Sequence, residues 1–392
     1  MLFIAESNIF GGTDTFILDF ASEFIKNKIE VNILINKSHQ GIYSYKRNYI
    51  NLEFFTIPPL YELSSNFKIF YKLLILILYP FLAIFNVLDV LLKIKKISPD
   101  IIIVVNGGFP GGFLTYTSML SCGFSGVNTI YSIHNYCNYS KKYLLYNLFI
   151  ETIASLFGNI IFTSVSKDCA KNIKKNAFLK KDIYFVYNGV KDLNQKKDLP
   201  DFNYSNDFNI VWAGRIVESK NIDIIISAFK KIKINKFYNN VNLFLYGFIE
   251  DKNYYNKIKL IANKEKNIKF ILNEKDKNKI YKDKHLVILP SSKFESFGLI
   301  LIEGMSFGLP VISSNLASLE EVVNINENLS FGFVFDISDI NDLIKKIELI
   351  IKNKEVYMEF SKNARIAYEK YFTVEKMYLA YLKLIGDLGW KI

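Results

Sequence analysis

Two glutamates, Glu295 and Glu303, stand eight positions apart in the run Phe294-Glu295-Ser296-Phe297-Gly298-Leu299-Ile300-Leu301-Ile302-Glu303. A carboxylate suits sugar and ribose recognition, because each oxygen accepts a hydrogen bond from a hydroxyl. Gly298 lets backbone approach a ligand, and a helix from Phe297 or Gly298 to Phe307 would aim the free N–H groups of its first turn at an anion. Upstream, Gly214 and Arg215 follow an apolar run, Ile210–Ala213, and Lys220 stands just before a helix that begins near Asn221. Two cations beside a helix N-terminus at the mouth of a sheet make a place for a diphosphate, although alone they also read as solvated surface charges. On one helix the glutamates would lie about 12 Å apart, wider than the roughly 5 to 9.5 Å of a hydrolytic carboxylate pair. Glu295 falls near the helix start, so this spacing is a caution against a glycosidase rather than an exclusion.

Apolar runs rich in Ile, Val and Phe alternate with longer patterned segments along the chain, the form of βα units on a parallel sheet. The first half offers strands at Leu2–Glu6, Val31–Ile35, Leu52–Ile57, Ile101–Asn106, Thr129–Ile133, Ile160–Val165 and Ile183–Tyr187. The second offers Ile210–Ala213, Leu243–Tyr246, Ile268–Leu272, Leu286–Leu289, Val311–Ser313 and Phe333–Phe335. Ile222, Ile225, Ile226 and Phe229 share one helical face. Between Lys191 and Asn209 the pattern lapses into Asp, Asn, Lys, Ser and Pro200, a linker composition. The expected organisation is two doubly wound α/β domains, 1–195 and 196–372, with a terminal helix in 373–392 that crosses back to the first. Ligands of such sheets bind outside the carboxyl ends of the strands.

The chain has 392 residues, half of them hydrophobic, which suits two cores rather than one. Its three cysteines, Cys122, Cys137 and Cys169, form no C-x-x-C pair and have no His at metal-ligand spacing, so they read as reduced core thiols. Met1 runs into a strand-like segment without a basic n-region, and a cytoplasmic location is expected. The formal charge of +11 fits an anionic partner such as a diphosphate or anionic lipid, or equally charge dispersed over solvated helix faces. The positive charge matches no recognisable nucleic-acid-binding module. The stretch Ile69–Leu92 is apolar but interrupted by Pro80 and punctuated by Lys72, Asn86 and Asp89. It reads as a long buried helix or as one lying in a membrane interface, with Lys93, Lys95 and Lys96 near the head groups, rather than as a span.

The segment from Phe294 to Ile312, with Glu295 and Glu303 at their spacing, closely resembles the signature of family 4 retaining glycosyltransferases. Gly214-Arg215 with Lys220-Asn221 matches that family's second signature. Gly11-Gly12, Ser164-Val165-Ser166 and Asn188-Gly189-Val190 are similar to its N-terminal glycine loop, serine strand and pre-linker turn. The resemblance implies the GT-B fold, two facing Rossmann-like domains with the active site in the cleft between them. It implies that Glu295 binds donor-sugar hydroxyls, Glu303 the ribose, and Arg215 and Lys220 the diphosphate. Backbone N–H groups of Phe297, Gly298 and Leu299 complete the phosphate site, and Gly11, Gly12 and Gly214 border the donor. By the same resemblance, His134, which ends the strand Thr129–Ile133 and alone reads as structural, reaches the transferred sugar. Thr13-Asp14, the single Gly247 and Gly304 depart from the usual pattern.

The function so implied is retaining transfer of a hexosyl or N-acetylhexosaminyl group from a nucleotide diphosphate sugar, a UDP-sugar by family habit, to an acceptor hydroxyl. The expected acceptor is a lipid-linked saccharide or glycolipid of cell-surface polysaccharide such as lipopolysaccharide or capsule. No cofactor or divalent metal is expected, since the chain has no D-x-D motif. The expected location is cytoplasmic and peripheral on the inner face of the cell membrane. The competing readings are a nucleotide-sugar epimerase or sugar phosphorylase of the same fold, or a non-catalytic sugar-binding protein. A dehydrogenase lacks its G-x-G-x-x-G after a strand.

Overall fold

The computed structural model describes residues 1–7, 10–60, 69–194, 199–200, 207–235, 238–263 and 265–390. It resolves into two compact units, Met1–Tyr187 with Met377–Ile392, and Asn188–Lys376. Where the sequence suggests a boundary at 195/196, the first unit ends at Tyr187. The reason is local pairing: the Val190 N–H donates to the Phe372 carbonyl at 2.9 Å, and a Cβ on Gly189 would meet the Thr373 carbonyl oxygen at 2.3 Å, so 188–190 is built into the second unit. The parts of the expected linker at 195–198 and 201–206 lie outside the described residues.

The first unit is a parallel sheet of seven strands, β1 (Leu2–Ala5), β2 (Asn32–Ile35), β3 (Asn51–Phe54), β4 (Ile101–Asn106), β5 (Asn128–Ile133), β6 (Ile160–Ser164) and β7 (Ile183–Phe185), in the order β3-β2-β1-β4-β5-β6-β7. The strand order reverses between β1 and β4, which creates a crevice at their carboxyl ends. The terminal helix Val374–Asp387 adds Met377 onward to this unit. Tyr381 packs its ring 4.6 Å from Phe20 and Tyr378 packs 5.0 Å from Phe24.

The helix Ile69–Ile97 has Pro80 inside it. Its part Ile77–Ile97 is long and apolar enough to cross a membrane by length and composition. Yet β3 before it and β4 after it lie in one sheet, which places both ends on the same side of any bilayer. It is neither wholly buried nor free. Tyr79, Asn86, Val90 and Ile94 are buried, and the Asn86 amide donates to Thr117 Oγ1 at 2.7 Å and to the Leu114 carbonyl at 3.1 Å on the helix Phe113–Ser125. The opposite face, with Ile77, Phe81, Ile84, Phe85, Leu88 and Leu92, is exposed.

The second unit is a parallel sheet of six strands, β8 (Phe208–Ile216), β9 (Val241–Ile249), β10 (Ile268–Leu272), β11 (Leu286–Leu289), β12 (Val311–Ser314) and β13 (Gly332–Phe335), in the order β10-β9-β8-β11-β12-β13. Its order reverses between β8 and β11. The helix Ile222–Lys233 buries the predicted face of Ile222, Ile225, Ile226 and Phe229, each contributing about 1.5–3 kcal/mol of hydrophobic stabilisation. Strand β8 runs three residues beyond its apolar core, so Gly214 and Arg215 belong to the strand instead of following it. The extension is allowed because Gly247 lies opposite Gly214, where a Cβ would stand 2.3 Å from the Gly214 carbonyl oxygen.

Candidate active site

The carboxyl ends of β8 and β11 flank the reversal of strand order, and the predicted site residues of the second unit converge there. After β8 the chain makes a single turn, Glu218–Lys220, before the helix Ile222–Lys233. After β11 it runs through 290–298 to the helix Leu299–Ser306. The Ser292 N–H donates to the Ser219 carbonyl at 2.9 Å and holds these loops side by side. Across them, Lys220 Nζ donates to Glu295 Oε2 at 2.5 Å, with side chains 13% and 14% exposed. Ser291 Oγ donates to the same carboxylate oxygen at 2.8 Å, and Ser318 Oγ donates to the Glu295 carbonyl. Glu295 thus arrives with a fixed cation and a hydroxyl donor. Sequence reasoning missed both serines, whose role becomes visible only once β11 and the helix Ala317–Val323 are placed.

The helix expected from Phe297 or Gly298 to Phe307 spans Leu299–Ser306, with Gly298 as its N-cap and no side chain capping it. The Leu301 N–H donates to the Gly298 carbonyl at 2.9 Å, and the positive end of the helix dipole ahead of it favours an anion. Gly298 has φ +88°, and a Cβ there would meet Leu319 Cδ2 at 2.6 Å. Gly298→Ala is expected to cost about 1–3 kcal/mol, readable as a lower urea midpoint with unchanged m-value.

Glu303 lies inside the helix, whereas Glu295 precedes it, so the two carboxylates do not share one helix as a pair. Each has its own partners. Glu303, 6% exposed, faces Lys277 Nζ at 2.8 Å and accepts from the Tyr281 hydroxyl at 2.5 Å. Burial, with the Glu303 carboxylate beside it, raises the Tyr281 phenol well above its ordinary value, which keeps it a donor. Lys277 and Tyr281, on the helix Lys277–Tyr281, were also missed; nothing in their own spacing marks them. Arg215 donates to both oxygens of Glu250, at 2.9 and 2.8 Å. That pair is about half exposed and adds little stability, so Arg215 can leave it for an anion at small cost.

The first unit holds the remaining predicted residues. The Gly11 N–H donates to Asp14 Oδ2 at 2.8 Å. The other carboxylate oxygen of buried Asp14 meets the Tyr45 hydroxyl at 2.6 Å and His39 Nε2 at 2.8 Å. The Gly11 N–H is thus committed to its own loop, and Gly12 begins the helix Gly12–Lys26. His134 follows β5, its ring 4.4 Å from Phe16 and its Nε2 3.0 Å from Ser132 Oγ. Burial pushes its pKa down to about 3, so it works as a neutral hydrogen-bonding group. Between about pH 6.5 and 3 the unfolded chain binds a proton there that the folded chain refuses, so stability falls on acidification. The stability difference between pH 7.5 and 4.5, from urea titrations, should shrink in His134→Phe.

Residues 194–367 match the family model described as glycosyl transferases group 1. The match covers most of the second unit, with every convergent residue of the site just described. The chain is 28% identical to the capsular polysaccharide biosynthesis glycosyltransferase CapM of Staphylococcus aureus, over 46% of this chain and 48% of that protein. It is 29% identical to the O-antigen biosynthesis glycosyltransferase WclY of Escherichia coli, over 66% and 72%. The chain spans about half the length of several of the curated relatives it matches. Among solved structures, a glycosyltransferase of Rickettsia africae ESF-5 has a TM-score of 0.76 at 17% identity, covering 99% of this chain and 98% of that one. Anabaena HepE, solved with UDP and glucose, has a TM-score of 0.73 at 16% identity, covering 98% of both chains. The likeness establishes the fold, two Rossmann-like units of the GT-B class.

Proposed function

We propose that the protein is a retaining glycosyltransferase that moves a sugar from a nucleoside diphosphate donor, a UDP-sugar, to the hydroxyl of a lipid-linked saccharide in cell-surface polysaccharide synthesis. The observation that carries this reading is the convergence of Lys220, Glu295 and the uncapped N-terminus of Leu299–Ser306 at the strand-order reversal of the second unit. The bond from the sugar anomeric carbon to the β-phosphate oxygen breaks, its electron pair staying on the diphosphate. The acceptor oxygen bonds to that carbon from the face the diphosphate leaves, and its proton passes to the departing phosphate. Stabilising the leaving group is the main task. Lys220, Arg215 and the helix N-terminus supply preorganised positive potential without a divalent ion. Glu295 orients sugar hydroxyls, Glu303 the ribose, and neutral His134 hydrogen-bonds the transferred sugar.

Two features support the acceptor class: the relatives CapM and WclY are named for capsule and O-antigen synthesis, and the first unit bears an exposed apolar helix face. Lys95 and Lys96 are exposed at its end, Lys96 in an ion pair with Glu53 at 2.7 Å, whereas Lys93 is 15% exposed and held by Asp89 instead of standing near head groups; the apolar face with Lys95 suits work from the cytoplasm at the anionic inner surface of the cell membrane. The test incubates the protein with a UDP-sugar panel and bacterial membrane lipid extract, following UDP release. Release that depends on the extract supports transfer. Consumption that needs inorganic phosphate, or conversion to an isomeric UDP-sugar without acceptor, assigns the protein to the phosphorylase or epimerase alternative.

A further inference from the structure

We infer that Arg365 is a positioning residue for the proposed diphosphate site. It acts through the helix Leu299–Ser306 and ties that helix to residues 188–192, where the chain enters the second unit. This inference rests on the proposed function and assigns a role in it to a side chain at the far end of the helix from the anion site.

The N-terminus of Leu299–Ser306 stands where the rest of the helix is held. At the opposite end, the Ser306 carbonyl is one of the acceptors that a helix leaves without an internal partner. Arg365 Nη1 donates to it. The same guanidinium grips Asp192 with both arms of its fork, Nη1 to Oδ1 at 2.8 Å and Nη2 to Oδ2 at 2.5 Å, and its Nε donates to Glu369 Oε1 at 3.0 Å. A cation at this end also offsets the negative pole of the helix dipole. The Arg365 side chain is 7% exposed, so salt screens these bonds little. Lysine could not make them together, since its ammonium is a single point of charge without the planar fork.

Arg365 lies on the helix Lys354–Ala367, which runs on into one π turn, Tyr368–Phe372. Such turns are rare and recur at functional sites. Here the turn reaches the other end of Leu299–Ser306: the buried Phe372 ring packs edge-on 6.0 Å from Phe297, which precedes the N-cap Gly298. It also reaches the entry segment. The Tyr368 hydroxyl donates to the Val190 carbonyl at 2.9 Å, and the Val190 N–H donates to the Phe372 carbonyl at 2.9 Å. Residues 365–372 therefore hold the helix near Ser306 and near Phe297 while also holding Val190 and Asp192. The helix spans about 12 Å, and a rigid element of that length passes a shift at Ser306 on to Gly298. A misplacement of about 1 Å costs about a hundredfold in rate.

The test combines amide hydrogen exchange with kinetics on the wild type, Asp192→Asn and Arg365→Lys. Asp192 is 34% exposed and Asn keeps its shape, so this variant should stay folded by circular dichroism. Because coupling between sites is reciprocal, saturating UDP should slow exchange across 188–192 and 365–372 in the wild type about fivefold more than in the edge strand Gly332–Phe335. That extra slowing should vanish in Asp192→Asn. UDP affinity of both variants should fall only by the coupling itself, about fivefold, while kcat falls about tenfold or more. A contact that only stabilises the fold would lower the urea midpoint and leave kcat of the folded enzyme alone. The inference is overturned if UDP slows exchange at 188–192 no more than in Gly332–Phe335, or if both folded variants keep the wild-type kcat. A wild type that binds no UDP would instead count against the proposed function.

Discussion

Lys220→Ala is expected to lower turnover about a hundredfold or more and to weaken UDP binding as well. The lysine is held 2.5 Å from Glu295 in a pocket where both side chains are nearly buried. Its loss removes the cation proposed to meet the leaving diphosphate and would leave the Glu295 carboxylate to repel it. Arg215→Ala should also cost turnover. Its effect should be the smaller of the two, because Arg215 is 48% exposed and must first leave Glu250. Steady-state kcat and KM for the two variants, with circular dichroism to confirm folding, decide the order. Equal and small losses would mean that neither cation meets the diphosphate.

The second large effect should separate binding from chemistry. Glu303→Gln keeps the side-chain shape but replaces an ionised acceptor, held by Lys277 and Tyr281, with a neutral amide. UDP affinity should fall about 10- to 100-fold, while kcat at saturating donor changes much less, since the ribose contact proposed for Glu303 would be made equally in ground and transition states. Calorimetry and initial rates give the two numbers. A loss confined to kcat would place Glu303 at the reacting sugar instead of the ribose.

Much of this architecture was legible because buried parallel strands leave continuous apolar runs: Ile101–Asn106, Ile268–Leu272 and Leu286–Leu289 were read with their observed ends. Other ends moved where a neighbour decided them. β8 and β9 extend because Gly214 faces Gly247, and no propensity at Arg215 announces that. Lys220 and Glu295 were recognised separately, each beside a strand end, but their ion pair joins residues 75 apart in sequence and needed the β8–β11 adjacency. Ser291, Ser318, Lys277 and Tyr281 carry no motif and acquire a role only through that placement. The apolar stretch after residue 69 was read as either buried or interfacial. The structure divides its faces, because Asn86, which interrupts the apolar run, is the residue that bonds inward to Thr117. The partner face on Leu144–Leu156 left no readable signal, since Leu145, Leu148, Phe149 and Leu156 look like core positions until their exposure is seen.

Binding of a nucleoside diphosphate at the strand-order reversal of the second unit, through Lys220 and the helix N-terminus, is the proposal on which the other roles depend. Its most direct test is calorimetric titration of UDP and GDP into the wild type and Lys220→Ala, with and without EDTA. UDP should bind in the presence of EDTA, and that binding should collapse in the variant. Binding of neither nucleotide to a folded wild type, or equal binding to the variant, would contradict it.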